Sequence, residues 1–403
     1  MKKTTPKICL NMIVKQEAKT ITRCLDSVLP YITTWCIVDT GSTDGTQDII
    51  KSYFADKKMP GQLHERTWKD FGANRTEAIA LALAMPYEKD YLFVMDADDT
   101  LVVTDPKWHT QLADSAYLFP FTMGGAHWSR VQLFRAEEGW KYKGVLHETL
   151  VGPEGHTTSR TNGVYIEARS SSVARAGFLI PQDKYLHDAN VFRKAMSEMT
   201  EQDDPSLWSR YHFYCAQSYR DAHSWEESLE WYTRRAELGG WDEEVYYSLY
   251  MCAKLKETLE RPEDEVIGAY MLAWQSRPTR LEAAYNLVRY LTVKRRNFLA
   301  WNLARTAIEA PPTSDILFVE KDVWAWRLAN EWNTACYNVG KVKEAMKGTE
   351  ALVNSAVFQI IEPSVQAIIK KNLALFQERY AAGGTSPSKK TLRNKHNTKK
   401  ATR

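Results

Sequence analysis

Hydrophobic and polar positions along the first hundred residues fall into a repeating pair of signatures. Ile8-Cys9-Leu10-Asn11-Met12-Ile13-Val14 is an almost wholly apolar, partly β-branched run, which predicts a buried strand. A polar turn, Lys15 to Lys19, separates it from Ile21, Cys24, Leu25 and Val28, spaced as on one helix face until Pro30 ends the pattern. Trp35-Cys36-Ile37-Val38 predicts a second strand, running into Asp39. The turn Thr40 to Thr46 follows, with Asp44 and Gln47 spaced as a capping box before the helix marked by Ile49, Ile50, Tyr53 and Phe54. A third strand is expected around 62–68, a helix around 73–85 and a fourth strand at Tyr91 to Met95. Strand and helix in alternation predict parallel strands joined by crossover helices.

The pattern changes after Thr100. Tyr117 to Phe119, Val131 to Phe134 and Tyr142 to Leu146 read as short antiparallel additions to the sheet. Residues 152–168 read as a hairpin or loop and 170–182 as a connector. From Lys184 onward the signal is helical. Tyr211, Tyr214, Ala216, Tyr219, Trp225, Leu229, Tyr232 and Ala236 recur as in a 34-residue helix-turn-helix repeat, and Tyr219 and Tyr290 lie two such lengths apart. The expected organisation is therefore an α/β domain at 1–180, a helical-hairpin array at 184–382, and a basic tail at 383–403.

Composition adds limits more than content. A chain of 403 residues with 44% hydrophobic and 26% charged positions has the make-up of globular protein. No apolar run reaches the roughly 18 residues of a membrane span, and none near the N-terminus has signal-peptide form. The six cysteines are scattered without a C-x-x-C pair, which fits a reducing, cytoplasmic setting. Net charge is +3, yet residues 387–403 alone carry +7, which leaves the remainder at −4. That tail allows a phosphate backbone, modified DNA included, as a partner, although basic runs without interleaved aromatics are more often solubilising.

Chemistry concentrates at two strand ends. Tyr91-Leu92-Phe93-Val94-Met95 runs into Asp96-Ala97-Asp98-Asp99, which places three carboxylates at the carboxyl edge of the expected sheet, where open α/β folds bind ligands. Such oxygens suit Mg²⁺ or Mn²⁺ carrying a phosphate, while an acidic turn is the plainer explanation. Asp39 ends a second strand and can accept from a base N–H or a ribose hydroxyl. Arg75, where Gly72-Ala73-Asn74-Arg75 opens a helix, supplies a fixed cation for a phosphate or a base. Neither G-x-x-x-x-G-K-[ST] nor G-x-G-x-x-G occurs, so a nucleotide would be held by metal and side chains. His147-Glu148 offers an imidazole as a third metal ligand and a carboxylate as general base. Asp99 is the rival base. Arg169, Arg175 and Lys184 are further cations able to close over a diphosphate.

Taken together, Cys9 to Lys15, Ile37-Val38-Asp39-Thr40-Gly41-Ser42-Thr43-Asp44-Gly45-Thr46 and Met95-Asp96-Ala97-Asp98-Asp99 resemble family 2 glycosyltransferases of the GT-A fold. The resemblance spans residues 7–150, and the helical half is similar to the tetratricopeptide (TPR) extension of some members. The resemblance implies that Asp39 contacts the base, commonly uracil, and that Asp96 lies near the ribose and donor sugar. It places Asp98 on the metal, with Asp96 and His147 beside it, and lines the nucleotide pocket with Glu17 and Arg75. It further implies an inverting, metal-dependent, hexosyltransferase-like enzyme using a nucleotide-sugar; the acceptor stays open, the helical array allowing a glycan, peptide or protein and the basic tail modified DNA. Two positions depart from the family pattern: Gln16 stands where Asn is common, and Ala-Asn-Arg replaces Ala-Arg-Asn at 73–75. Two rivals share parts of this signature. One is a TPR-type adaptor with an inactive sheet domain. The other is a nucleotidyltransferase, which needs a glycine- and lysine-rich entry loop that this sequence lacks.

Overall fold

Four strands carry the N-terminal architecture: β1 (Ile8–Val14), β2 (Thr34–Asp39), β3 (Gly61–Glu65) and β4 (Tyr91–Val94). They alternate with α1 (Ile21–Val28), α2 (Thr46–Asp56) and α3 (Phe71–Ala84). These elements come from a computed structural model that describes residues 5–123, 126–169 and 180–383. Arg175, most of the 170–182 connector and the basic tail from 384 lie outside the described residues.

The strands run parallel in the spatial order β3-β2-β1-β4, so the order reverses beside β1. That switch point leaves the carboxyl ends of β1, β2 and β4 side by side, which is where a ligand crevice forms. Period-two alternation sorts the two faces. Leu10, Met12 and Val14 join Ile37, Phe93, α1 and α2 in one core. Cys9, Cys36, Leu92 and Val94 meet Ile79 and Ala82 of α3 on the other. Trp35 stacks on Phe54 at 4.3 Å, and a Cβ on Gly61 would fall 2.4 Å from that indole.

Beyond β4 the sheet continues through β5 (Thr100–Val103), β6 (Ala116–Met123) and β7 (Ala126–Arg135). β8 (Lys141–Lys143), β9 (Thr149–Val151), β10 (Thr158–Arg160) and β11 (Val164–Glu167) follow. β7 pairs antiparallel with both β4 and β6, as expected. Three features differ from the sequence reading. Tyr142 belongs to a separate two-stranded sheet, β8 with β9, instead of extending the main one. Segment 152–168 yields two strands of the main sheet, both parallel to β6. β5, too short to show alternation beside the acidic turn, pairs antiparallel with β11.

The remaining chain is helical: α4 (Pro181–Ser197), α5 (Pro205–Asp221), α6 (Trp225–Glu237), α7 (Asp242–Thr258), α8 (Glu263–Ser276), α9 (Glu282–Val293), α10 (Asn297–Ala307), α11 (Leu328–Asn338), α12 (Val342–Val353) and α13 (Pro363–Ala381). Consecutive helices from α6 to α13 pack on one another, as an array of hairpins requires. The chain divides into two compact units, up to Tyr214 and from Cys215 on. This differs from the expected 1–180 and 184–382 by α4 and the first half of α5. Tyr219 and Tyr290 do sit two hairpins apart, on α5 and α9. No described helix is long and apolar enough to cross a membrane, and no disulfide joins the six buried cysteines.

Candidate active site at the carboxyl edge of the sheet

The turns after β1 and β2 are laced together. Gln16 adopts φ +59°, a conformation favouring Gly and Asn, which accounts physically for Asn being common there. Its Oε1 accepts from Thr43 N at 2.6 Å, and its own N–H donates to Ser42 Oγ at 2.9 Å. Glu17 N donates to Thr46 Oγ1 at 2.8 Å and Ala18 N to Asp44 Oδ2 at 3.0 Å. The Glu17 carboxylate is buried and accepts from the Thr20 hydroxyl beside α1. The expected capping box does not form. Asp44 Oδ1 caps Thr46 N at 3.1 Å, while Gln47 turns back to donate to Asp39 Oδ1 at 3.1 Å.

Asp39 is fully buried at the end of β2. Its Oδ1 also accepts from Gly41 N and Ser42 N, both at 2.8 Å. Its Oδ2 is buried and has no hydrogen-bond partner in the structure. Buried acceptors without partners are rare and costly, so a half-satisfied carboxylate at a strand end fits an incoming N–H donor.

The second cluster centres on Arg75, whose side chain is only 10% exposed. Its NH2 donates to Asp96 Oδ1 at 2.6 Å and its Nε to Glu148 Oε1 at 2.7 Å, with the Tyr142 ring 5.6 Å away. Burial works to lower the Arg75 pKa, but Asp96 and Glu148 outweigh it and raise the value. Asn74, beside it, is structural. It accepts from Lys69 N at 2.8 Å and donates to Thr67 O at 3.2 Å, which fixes the loop entering α3. The Asn-Arg order therefore leaves the arginine aimed at the acids.

Glu148 reaches Arg75 because the 144–148 segment lies against the start of α3. Phe71 N donates to Val145 O at 3.3 Å and Gly72 N to Gly144 O at 3.1 Å. A Cβ on Gly72 would sit 2.5 Å from that carbonyl. Tyr211 Oη accepts from Val145 N at 3.0 Å, and Arg210 donates twice to His147 O at 2.9 and 2.7 Å.

Sequence reasoning missed Arg130 on β7. Its guanidinium lies 3.6 Å from Asp96 Oδ2 and 4.6 Å over the Phe121 ring. An exposed arginine on an alternating strand carries no pattern that marks it. Asp98 and Asp99 are buried in the turn after β4. Burial, then the Asp96 and Asp98 carboxylates, push the Asp99 carboxyl up to about 7. Asp99 Oδ1 accepts from Arg169 N at 3.3 Å.

The other expected cations are engaged elsewhere. Arg169 pairs with Glu167 at 2.8 Å, and Lys184 with Asp188 one turn along α4 at 2.6 Å.

Asp96 and Glu148 thus meet on Arg75, Arg130 approaches the second oxygen of Asp96, and Asp98 and Asp99 lie buried in the same turn. The excess of negative charge and the all-oxygen donors suit a hard divalent cation. His147, at φ +48°, stacks its ring on Tyr214 at 4.2 Å and lies 6.2 Å from Phe192. Among the described residues, no three His, Cys, Asp or Glu side chains form a ready-made metal cluster. The buried carboxylates of the turn after β4 are the oxygen donors that a cation would meet, and His147 is set against aromatic rings.

Comparison with known proteins agrees with the N-terminal motifs. Residues 9–116 match the family model "Glycosyl transferase family 2". The chain is 34% identical over 98 residues to the SPbeta prophage-derived glycosyltransferase SunS of Bacillus subtilis, covering 24% of this chain and 21% of that protein. It is 31% identical over 151 residues to a TPR repeat-containing protein of Synechococcus elongatus, covering 36% and 35%. The matches thus span about a third or less of these relatives. Among solved structures, S. aureus TarS is similar at 12% identity and TM-score 0.33, over 64% of this chain and 54% of TarS. The TPR protein YrrB, described as having an unusual peptide-binding site, is similar at 17% identity and TM-score 0.35, over 48% and 85%. The resemblance to family 2 glycosyltransferases read from the motifs therefore holds over residues 9–116.

Proposed function

We propose that the N-terminal unit is a glycosyltransferase that takes a sugar from a nucleotide-diphosphate donor, a UDP-sugar, and passes it to an acceptor with inversion. The observation that carries this reading is the pair of strand ends flanking β1. Asp39 keeps a buried oxygen for a base N–H, and Asp96 pairs with Arg75, two residues before the buried Asp98, where the diphosphate would lie.

Asp39 orients the base, and Glu17 fixes the turn that walls the pocket. Mn²⁺ or Mg²⁺, held by Asp98 and Asp96, would supply positive charge for the diphosphate when bound. Arg75, kept ionised between Asp96 and Glu148, stabilises negative charge growing on the leaving group. The acceptor oxygen forms its bond to the anomeric carbon as the bond from that carbon to the diphosphate oxygen breaks. Glu148 takes the acceptor's proton through Oε2, its Oε1 being committed to Arg75, and Asp99 is the second candidate for that proton. The buried charges around Arg75 favour this reading over an adaptor with an inactive sheet domain, because buried ionic clusters in clefts are what catalysis needs.

The acceptor is a glycan, peptide or protein, with DNA as an option through the basic tail. A thermal-shift screen of nucleotide-sugars with Mn²⁺ and Mg²⁺ tests the proposal. Stabilisation by one nucleotide class, stronger with metal, is the expected result, and no shift with any donor would reject it.

A further inference from the structure

Turns between successive helices of the second unit are short. Residues 238–241 join α6 to α7, 259–262 join α7 to α8, 277–281 join α8 to α9, and 294–296 join α9 to α10. The connection after α10 is different. It runs from Ile308 to Glu320 without regular structure before the chain turns helical again at Lys321. Loops of that length inside compact folds are uncommon and are usually functional.

This strap is tied down as a peptide is tied to a receptor. The backbone N–H groups of Ile316 and Leu317 both donate to Glu243 Oε2 of α7 at 2.8 Å. Asp315 accepts from Arg277 Nε and NH2, each at 2.5 Å, and from Arg280 NH1 at 3.3 Å. The Arg277 hydrogen bond holds the Asp315 carboxyl below its ordinary range against the opposing effect of burial. Glu320 N donates to Glu282 Oε1 at 3.1 Å, and the Glu320 carboxylate accepts from the Tyr250 hydroxyl at 2.9 Å.

Little of the strap behaves as core. Ile316 is 73% exposed and Phe318 49%, and Phe318 sits at φ +48°, a region that bulky residues rarely adopt. The seat also has contacts of its own. Arg280 is fully buried, pairs with Glu282 at 2.9 Å and lies 4.6 Å over the Tyr246 ring. Arg277 has Asp242 at 3.9 Å as a second acid. Arg277, Arg280 and Glu282 therefore keep partners when the strap lifts.

We infer that residues 311–320 are a self-ligand, and that the face formed by α7, the start of α9 and the 277–281 turn receives an extended peptide bearing an aspartate followed by apolar residues. Main-chain capture by Glu243 gives affinity whatever the sequence, and the Arg277–Arg280 fork selects the acid. The strap competes with any such peptide in trans, so occupancy is set by the difference between the two. This inference stands apart from the chemistry of the N-terminal site.

The probe is a fluorescein-labelled peptide with the sequence of residues 311–320, titrated by anisotropy against the full chain and its Asp315→Asn variant. The variant is expected to bind it at least tenfold more tightly than the parent, and the same peptide with its aspartate replaced by asparagine is expected to lose that binding. Equal affinity for both chains, or binding to neither, overturns the inference. Hydrogen exchange on the unmodified chain gives a second reading that needs no variant. The Ile316 and Leu317 amides should exchange at least tenfold faster than mid-helix amides of α7 and α9. Exchange at the rate of those helices would show the strap to be fixed structure and would also overturn it.

Discussion

Replacing Asp39 by Asn isolates the base contact from the fold. The amide can keep its carbonyl on Gly41 N, Ser42 N and Gln47, the three donors that now use Oδ1. The turn should therefore survive, and removing a buried charge whose Oδ2 has no partner should leave thermal stability unchanged or slightly raised. What changes is the other end of the group, where an NH₂ donor replaces an acceptor. A base N–H arriving there loses a hydrogen bond to a charged group, worth about 1.5–3 kcal/mol, and faces a donor where it had an acceptor. Allowing for local relaxation, a net of about 3 kcal/mol corresponds to roughly two decades in affinity. Titration calorimetry with UDP should show that loss, and KM for the donor should rise while kcat stays within a fewfold, because the contact is made equally in ground and transition states. Unaltered UDP affinity in a folded Asp39→Asn protein would refute the reasoning and move the base elsewhere.

Arg75→Lys should lower kcat by about 10²–10³-fold with a smaller change in donor KM, since one ammonium cannot span Asp96 and Glu148 as the guanidinium does. A lysine variant with parental kcat would contradict that role. Glu148→Gln keeps an oxygen for Arg75 Nε but cannot take a proton, so it should lose about 10²–10⁴-fold in kcat. Near-parental activity in Gln together with loss in Ala would reassign Glu148 to positioning Arg75. Asp315 faces Arg277 and Arg280, with Glu243, Glu282 and Glu320 nearby. Because its folded pKa lies below 3.8, its hold on the strap is complete above that value and is lost as pH falls through the lowered one. Exchange of the Ile316 and Leu317 amides, corrected for intrinsic rate, should therefore speed up only in strong acid, and acceleration near neutrality would disprove the linkage.

What could be read from the sequence follows from how local each signal is. Ile8–Val14 and Ile21–Val28 appear in the structure with the bounds their periodicity implies, because burial on one or both faces leaves a direct mark. Asp39 and Asp96 to Asp99 were visible because acids ending apolar strands are conspicuous. Gln47 was misread, since Asp44 and Gln47 have capping-box spacing while a carboxylate three-dimensionally adjacent, Asp39, claims the amide. Tyr142 looked like sheet but pairs in a small hairpin whose partner, β9, is only three residues long. The links that assemble the site are long-range: Gly72 against Gly144, Arg75 with Glu148, Arg130 with Asp96. None has a spacing that a one-dimensional pattern can reveal. The stacking of His147 on Tyr214 is of the same kind, and it draws the imidazole toward aromatic neighbours where the residue type alone had pointed to a metal.

The central claim is that the carboxylates after β4 serve transfer from a nucleotide-sugar. Its most direct test is release of nucleoside diphosphate from the donor identified by screening, followed over time with Mn²⁺ and without acceptor, for the parent chain and Asp98→Ala. The account predicts slow release by the parent, stopped by chelation and absent in the variant. Release that continues undiminished in Asp98→Ala would contradict it.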